Sequence, residues 1–263
     1  MLTLVNTSGL EPVTTSEAKT HLHISSSSDD TYIGELISVA RDQLESEYDL
    51  AIINATWDYN LDEFPAGRIL QLPIQNIQSI SSITYIDGDG ASQTVTSSDY
   101  VLDKVLGRIE HVDTSSWPET DDRVNAVSVK FIAGYDLAFT ASTDDTITCT
   151  AHGFSDGHRV RVKSTGTLPA GLSAATDYYI VSSATNTFSL ATTPSGSAID
   201  ITDTGSAGAK HYLELTPFKV KQAILMLLSH YYANRESTSE MNIKDVPLAH
   251  EYLMKSTRRE KFF

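Results

Sequence analysis

The chain has 263 residues, of which 40% are hydrophobic and 20% are charged, and this balance is typical of a globular protein with one large or two modest domains. Its longest strongly apolar run, from Ala223 to Leu228, is far too short to cross a membrane. The single cysteine, Cys149, excludes an internal disulfide and a zinc site built from several cysteines.

The net charge of −15 is concentrated in the first half of the chain. Residues 1–137 hold 7 Lys and Arg against 22 Asp and Glu, residues 138–213 hold 4 against 6, and residues 214–263 hold 8 against 6. Nonspecific binding to nucleic acid depends on clustered Lys and Arg. The acidic first half therefore argues against tight DNA binding, but it suits a surface past which DNA moves without adhering.

Two helices are predicted near the start of the chain. Thr14 and Glu17 have the spacing of a capping box, which predicts a short helix through Leu22. After the "SSSSDD" turn a longer amphipathic helix is predicted, with Asp29, Asp30 and Glu35 in its favourable first turns. Its apolar residues recur at helical spacing: Ile33, Leu36, Ile37, Ala40, Leu44 and Tyr48.

From about residue 51 the apolar period changes to two, which indicates β-strands. The predicted strand segments are Trp57 to Leu61, "RILQL", "SSITYI", "QTVTS", "DYVLD", "GRIEH" and "AVSVKFIAGY". The tetrad Asp87-Gly88-Asp89-Gly90 predicts a hairpin turn between two of them. A calcium site of the EF-hand type would need a longer ladder of ligands and flanking helices.

Residues 138–213 are rich in Thr, Ser, Ala and Gly, which predicts an inserted all-β module. Five short strands are expected there, in "TITCTAHGF", "HRVRVKS", "DYYIVSS", "NTFSLAT" and "AIDITD". The two ends of the module should lie close together, because the core segments on either side would otherwise be joined by a short loop. Helix is predicted to restart with Thr216 as N-cap and Pro217 at the first helical position.

The last helix is apolar on two sides. One side carries Val220, Ala223, Ile224, Leu227, Leu228 and Tyr231, and the other carries Leu225, Met226 and Tyr232. Such a helix lies in a large core or between subunits, and the small number of other helices favours inter-subunit packing through Ile224, Leu225, Leu228, Tyr231 and Tyr232. Lys219 and Lys221 stand in the first turn, where the helix dipole disfavours cations. They are expected to face acidic residues, such as those in the N-terminal region of a neighbouring copy.

The polar residues that end this helix are the main candidates for chemistry: His230, Tyr231, Tyr232, Arg235 and Glu236. Neither the H-E-x-x-H metal motif nor a G-x-S-x-G nucleophile elbow is present, so packing is favoured over catalysis. In the insert, His152, Asp156 and His158 have the residue types of metal ligands, but their neighbouring glycines favour turns. The sequence predicts no enzyme and no catalytic, cofactor or metal site.

The order of these elements resembles the head-to-tail connector (adaptor) proteins of tailed bacteriophages. The resemblance rests on "EPVTTSEAKTHLHI", "DDTYIGELISVARDQLESEYD", "INATWDYNLDEFP", "ILQLPIQNIQSISSITYIDGDG", "DYVLD", "NAVSVKFIAGY" and "KQAILMLLSHYYANRES". It covers residues 10–135 and 216–250. In that family the last helix follows "AGY" after a short loop, so the β module is an insertion, similar to small β domains of phage virion proteins.

The resemblance implies a structural virion protein at the head-tail interface, present in the host cytoplasm during assembly. Such adaptors form a dodecameric ring under the portal protein, extend the DNA channel and provide the platform for the stopper and tail. The expected fold is α+β, with a discontinuous connector core (residues 1–137 and 214–263) of helices and a small β region. Residues 138–213 form the inserted all-β sandwich or barrel, and residues 255–263 a basic-aromatic arm. Within that arm, the portal-docking residues are predicted to be Arg258, Arg259, Lys261, Phe262 and Phe263.

Two other functions are considered. The first is a glycan- or receptor-binding virion protein that uses the β module, which has Tyr178 and Tyr179 but no Trp for stacking on sugars. The second is a small hydrolase built on His230. Neither accounts for the order of helices and strands as well as an adaptor does.

Overall fold

The computed structural model describes residues 1–112, 117–234, 251, 253 and 254. The chain divides into two compact units. The first contains Met1–Thr7, Glu11–Gly134 and the described residues from Pro217 onward, and the second contains Ser8–Leu10 and Tyr135–Thr216. These bounds lie within a few residues of those expected from composition, and the second unit also includes a short N-terminal segment.

Within the continuous described stretches, the first unit contains the helices α1 (Thr15–Leu22), α2 (Asp30–Tyr48) and α3 (Phe218–Ala233). The predicted capping box is confirmed, because the Glu17 N–H donates to Thr14 Oγ1 (3.1 Å) and the Thr14 N–H donates to Glu17 Oε2 (2.7 Å). The predicted apolar face of α2 is confirmed too, since all six of its members are buried. Helix α2 packs against both α1 and α3.

A β-strand precedes α1, which corrects the expectation that the chain starts with helix. It is β1 (Leu2–Thr7) at the edge of a five-stranded antiparallel sheet with the order β1-β2-β8-β4-β5. The others are β2 (Ala55–Leu61), β4 (Ile77–Ile86), β5 (Ser92–Thr94) and β8 (Val127–Ala133). Strand β1 is missed because five of its six residues are exposed, so it lacks the alternation of buried and exposed positions that marks a half-buried strand.

A second sheet of the first unit has the order β3-β7-β6, from β3 (Ile69–Gln71), β6 (Tyr100–Asp103) and β7 (Arg108–His111). Its inner row, Leu70, Ile109 and Leu102, joins the same apolar core as Phe131 and Val129 of β8. The β region is therefore larger than the small one that was expected. The predicted turn at Asp87 is confirmed: its Oδ1 accepts from the N–H groups of Asp89 (3.1 Å) and Ala91 (2.9 Å).

The second unit is a closed six-stranded barrel. Its strands are β9 (Leu137–Ala141), β10 (Ile147–Thr148), β11 (Arg159–Ser164), β12 (Tyr178–Val181), β13 (Thr187–Ala191) and β14 (His211–Glu214), in the order β10-β13-β12-β11-β14-β9. Strands β9 and β14 pair directly, with Leu137 opposite Leu213. The two ends of the insert therefore lie side by side, as predicted, and the α+β fold class with a barrel-like module is confirmed.

Two local predictions are wrong. The "AIDITD" segment (198–203) is not a strand: Ile201 is buried, but its N–H donates to Asp145 Oδ1 (2.8 Å) instead of to a neighbouring strand. Pro217, not Thr216, is the N-cap of α3, because the Thr216 hydroxyl donates to Asp136 Oδ1 (3.3 Å). In both cases the donor forms a hydrogen bond to an aspartate from a distant part of the chain. The local sequence pattern instead predicts a partner in a neighbouring strand for Ile201 and in the first turn of α3 for Thr216.

Candidate assembly surfaces

The apolar residues of α3 are buried within the same chain. Ile224 and Leu228 are fully buried, and Leu225, from the second apolar side, is only 7% exposed. The contacts of α3 with α1 and α2 account for this burial without a second copy. Of the residues expected to pack between subunits, Tyr231, Tyr232 and Lys221 remain partly exposed, and Lys219 is exposed. The inter-subunit role of the two tyrosines stays a prediction.

The polar end of α3 forms structural contacts with α2. The Tyr232 hydroxyl donates to Asp29 Oδ2 (2.5 Å), and its ring lies 6.2 Å from that of Tyr32. Burial and the negative charge of Glu47 raise the pKa of Tyr231, so its phenol stays protonated. These contacts fasten the end of α3 to the start of α2.

The side chains next to these tyrosines do not form a nucleophile and base pair. The Ser229 hydroxyl donates to Leu225 O of its own helix (2.9 Å), and His230 Nδ1 faces the Asn234 amide at 3.4 Å. The remaining two candidates, Arg235 and Glu236, lie outside the described residues. The described part of the cluster is therefore a packing contact, as the sequence favours.

Lys221 meets acid in its own chain. Its Nζ lies 3.7 Å from Glu17 Oε1 of α1. Burial opposes ionisation of Glu17, but the Thr14 N–H and the charge of Lys221 outweigh it, so the pKa of Glu17 lies below its usual value. The acidic partner does come from the N-terminal region, but within the same copy. Lys219 is exposed.

Arg41 is an ion-pair centre that the sequence pattern does not reveal. Its Nε lies 2.8 Å from Glu11 Oε2, and its Nη1 lies 2.6 Å from both Glu45 Oε2 and Asp42 Oδ1. Burial lowers the pKa of Arg41, but the acceptors, Glu11 first, outweigh burial and raise it. Glu45 Oε1 also accepts from the Ile52 N–H (2.6 Å). Arg41 thereby ties the segment before α1 to α2 and, through Glu45, to the chain that follows it.

A second buried ion pair stands where the chain enters the barrel. Asp136 is 1% exposed, and its Oδ2 lies 2.6 Å from Lys163 Nζ. Its Oδ1 accepts from the Leu215 N–H (2.8 Å) and from the Thr216 hydroxyl (3.3 Å). The Asp136 carboxylate, where the chain enters the insert, thus contacts both the segment where the chain leaves it (Leu215 and Thr216) and strand β11 (Lys163).

The insert residues with possible chemistry have structural roles. His152 Nδ1 accepts from the Phe154 N–H (3.0 Å), His158 Nδ1 from the Ser155 N–H (3.0 Å), and Asp156 Oδ1 from the Ser183 N–H (2.8 Å). Burial raises the pKa of Cys149 to about 11, which keeps the thiol unreactive. Within the described residues, no group of three or more His, Cys, Asp or Glu could hold a metal ion.

The tyrosines considered for sugar stacking do not form a platform. Tyr178 is buried in the barrel core, and its hydroxyl accepts from the Ser173 N–H (2.7 Å). Tyr179, the next residue of β12, is only half-buried. Because the ring of Tyr178 is buried, only Tyr179 could contact a sugar. Stacking by this pair would require both rings to be accessible.

Exposed apolar side chains mark a surface that was not predicted. On the outer face of the β3-β7-β6 sheet, Ile69 and Val101 stand in one row on either side of Glu110. Val105 and Leu106 in the adjoining turn are exposed, as is Val112. Exposed apolar side chains that lie together are typical of a protein-contact surface. Strand β1 also exposes Leu4 and Val5.

The predicted portal-docking residues lie outside the described part of the chain: Arg258, Arg259, Lys261, Phe262 and Phe263. Met254, the last described residue, is buried. None of the described helices has the length and apolarity that a membrane span requires.

Comparison with known proteins shows similarity to phage and phage-like assemblies. Residues 13–106 match the family model described as phage gp6-like head-tail connector protein. Two chains of similar fold come from "Neck of empty GTA particle computed with C6 symmetry" (15% identity, TM-score 0.57) and "Virion of native gene transfer agent (GTA) particle" (15%, 0.58). A third comes from "Neck of native GTA particle computed with C12 symmetry" (16%, 0.55).

Each structural comparison covers 100% of this chain and 97% of the other. At this identity the likeness establishes a shared fold. No curated protein matches the chain.

Proposed function

We propose that this chain, whose residues 13–106 belong to the phage gp6-like head-tail connector family, is a structural protein of a virion neck. Its role is that of an adaptor: a ring under the portal that extends the DNA channel and carries the stopper and tail. The observation that supports this most is the coincidence of two comparisons. The family segment covers α1, α2 and the strands β2 to β6, and the fold likeness to neck chains extends over the whole chain, barrel included.

The proposed oligomer is a ring of twelve copies, the number given by the family resemblance and by the C12 symmetry of one matching neck structure. Electron microscopy of the purified protein, alone and mixed with its portal, tests this. We expect rings with a central channel that seat on the portal. Monomers that bind neither each other nor a portal would contradict the adaptor function.

A non-enzymatic role agrees with the contacts of the candidate residues. The described polar groups at the end of α3 are held by helix packing, and Asp136, Arg41 and Glu17 are engaged in ion pairs within the chain. These side chains fix the positions of chain segments relative to one another.

The acidic first half predicts that DNA does not adhere to the protein. Residues 1–137 carry 22 acidic against 7 basic residues, and phosphate binding depends on neutralisation by basic groups. We expect no retardation of duplex DNA by micromolar protein at physiological salt. A basic DNA-binding protein of similar size serves as the positive control. Micromolar affinity would contradict an adhesion-free channel.

The C-terminal arm, residues 255–263, is proposed to dock on the portal. Ordering nine residues costs on the order of 9–18 kcal/mol of backbone entropy, whereas burying Phe262 and Phe263 returns only about 3–6 kcal/mol. A single arm therefore needs backbone pairing and charge partners for Arg258 and Arg259 as well. Ring multiplicity then converts weak individual arms into a stable joint.

Truncation after Met254 tests this arm, because it keeps the last described buried residue. We expect the truncated protein to keep its unfolding midpoint and to lose portal attachment. A full-length variant with Arg258, Arg259 and Lys261 changed to serine separates the charge contribution from that of the aromatic rings. A truncated protein that joins portals as well as the full chain does would contradict the docking role.

The barrel is proposed to be a separable domain on this adaptor. Its two ends are paired through β9 and β14, and its core is a cluster of its own, built on residues such as Phe188, Ile180 and Leu190. Separate cores and paired ends are what an insertion into an existing loop requires. We therefore expect the two units to unfold in separate transitions when denaturant is added.

A further inference from the structure

The five-stranded sheet has an open edge at β1. Among the strands of the described residues, only β2 pairs with it, and it exposes Leu4 (50%) and Val5 (52%) to solvent. Alternate residues of an edge strand direct their N–H and C=O groups away from the sheet. Its sequence, "LTLVNT", contains no charged residue.

The opposite edge of the same sheet is open over part of β4. Strand β8 pairs with β4 from Ile77 to Tyr85, whereas β5 pairs only with residues 84–86. Among the strands of the described residues, none lies on the outer side of residues 77–82. Ser79 and Ser81 are exposed there. This segment, "IQSISS", also lacks charge.

Free strand edges are normally protected, because an unpaired strand recruits other strands. Charged side chains are the commonest protection, and 20% of this chain is charged, yet both open edges are free of charge. Each edge carries β-bulges, at Val5 in β1 and at Gln78 and Ser81 in β4. Bulges bend a strand, but each segment keeps one side on which no strand of the described residues pairs with it. Two uncharged edges of equal length favour pairing with each other.

We propose that β1 of one copy adds to the open edge of β4 (residues 77–82) in the next copy, so that the sheet continues from subunit to subunit. The inference rests on the ring assembly proposed above. The alternation of strands supports it: β1, β2, β8 and β4 are antiparallel in turn. A neighbour related by rotation about the ring axis therefore presents its β1 antiparallel to β4. Because the two surfaces differ, the contact is heterologous and can close a ring.

The ladder also predicts the register of this contact. Leu4 pairs with Trp57, and Trp57 pairs with Phe131 of β8. Ile80 pairs with the same Phe131 from the other side, so Leu4 and Ile80 are at the same level of the sheet. In the same way, Asn6 is at the level of Ile132 through Thr56, and Ser79 pairs with Ile132 directly. If the sheet continues without axial displacement, Asn6 of one copy lies beside Ser79 of the next. Both of these residues are exposed.

A cysteine pair tests this register. The variant Asn6→Cys/Ser79→Cys should give a ladder of disulfide-linked oligomers on non-reducing gels after mild oxidation. The native Cys149 does not interfere, because it is buried and its pKa is raised to about 11. Each single variant should stay monomeric on the gel. The control pair Asn6→Cys/Gln93→Cys, which uses the other end of that edge, should give no ladder.

A charge placed on the edge gives a second, independent measurement. Leu4→Lys should raise the dissociation constant of the ring at least tenfold, because a charge at a strand edge opposes pairing. Val39→Lys is the matched control, since Val39 on α2 is also 50% exposed. It should leave assembly unchanged. Circular dichroism checks that both variants remain folded.

The outcomes separate this inference from the proposed function. Rings with no ladder, and with assembly insensitive to Leu4→Lys, would overturn the strand pairing and leave the adaptor ring standing. Monomers at every concentration, with and without portal, would overturn both. A cross-link from Asn6→Cys to a different neck protein in co-assembled particles would assign the edge to that protein and overturn the pairing between copies.

Discussion

Replacing Gly134 with alanine is expected to lower the free energy of unfolding by roughly 3 kcal/mol or more, from a strained backbone at about 1–3 kcal/mol and overpacking at about 1–3 kcal/mol. Gly134 has φ = +136°, and a β-carbon there would lie 2.5 Å from Ile53 O and 2.7 Å from Asn54 Cα. All of the nearest atoms belong to the backbone, so no side-chain rotation relieves the clash.

The backbone of Gly134 is also fixed by hydrogen bonds. Its N–H donates to Asn76 O (3.0 Å), and its C=O accepts from Gln78 Nε2 (2.9 Å). A shift that accommodates alanine would break these contacts where β8 ends. Denaturant unfolding of the first unit measures the effect. Gly67→Ala is the matched control, because a β-carbon there has no atom within 4 Å; equal stability losses in the two variants would refute the steric explanation.

Replacing Asp136 with leucine is expected to destabilise the barrel by about 3–5 kcal/mol, the usual cost of removing one partner of a buried ion pair. The change leaves the Lys163 ammonium, which is 15% exposed, without its carboxylate. It also removes the acceptor of the Leu215 N–H. The pairing of β9 with β14 would remain between the entry and the exit of the barrel.

The control for this variant is Asp177→Leu in the same unit. Asp177 pairs with Arg159 and Arg161, but on an exposed surface, where ion pairs contribute little. The double variant Asp136→Leu/Lys163→Met should recover much of the loss, since it leaves no unpaired buried charge.

Denaturant unfolding followed separately for the two units also tests whether the barrel is a separate domain. We expect the Asp136→Leu variant to shift the unfolding transition of the barrel and to leave that of the first unit unchanged. A single transition that moves as a whole would contradict separability. Stability equal to that of Asp177→Leu would contradict the role of the ion pair.

Features that depend on neighbours along the chain could be predicted from the sequence. The capping box of Thr14 and Glu17, the buried face of α2 and the turn at Asp87 were all identified correctly. Each of them results from side chains within a few residues of one another. The order of such elements also supported the resemblance to connector proteins over residues 10–135 and 216–250, and residues 13–106 match the family model.

Only the tertiary structure decided which partners distant residues take. Strand β1 has no periodicity of its own and is a strand because β2 pairs with it. Ile201 is not in a strand, and its N–H donates to Asp145, 56 residues away. Thr216 is not an N-cap, and its hydroxyl donates to Asp136, 80 residues away.

The same limit applies to the candidate surfaces. The apolar sides of α3 could suit either a core or a neighbouring subunit, and the burial of Ile224 and Leu225 came from α1 and α2 of the same chain. The open edges of the five-stranded sheet depend on strand order, which the local sequence does not encode. Local hydrogen bonding and periodicity thus specify the elements, while the choice among distant partners is made by packing and by long-range ion pairs.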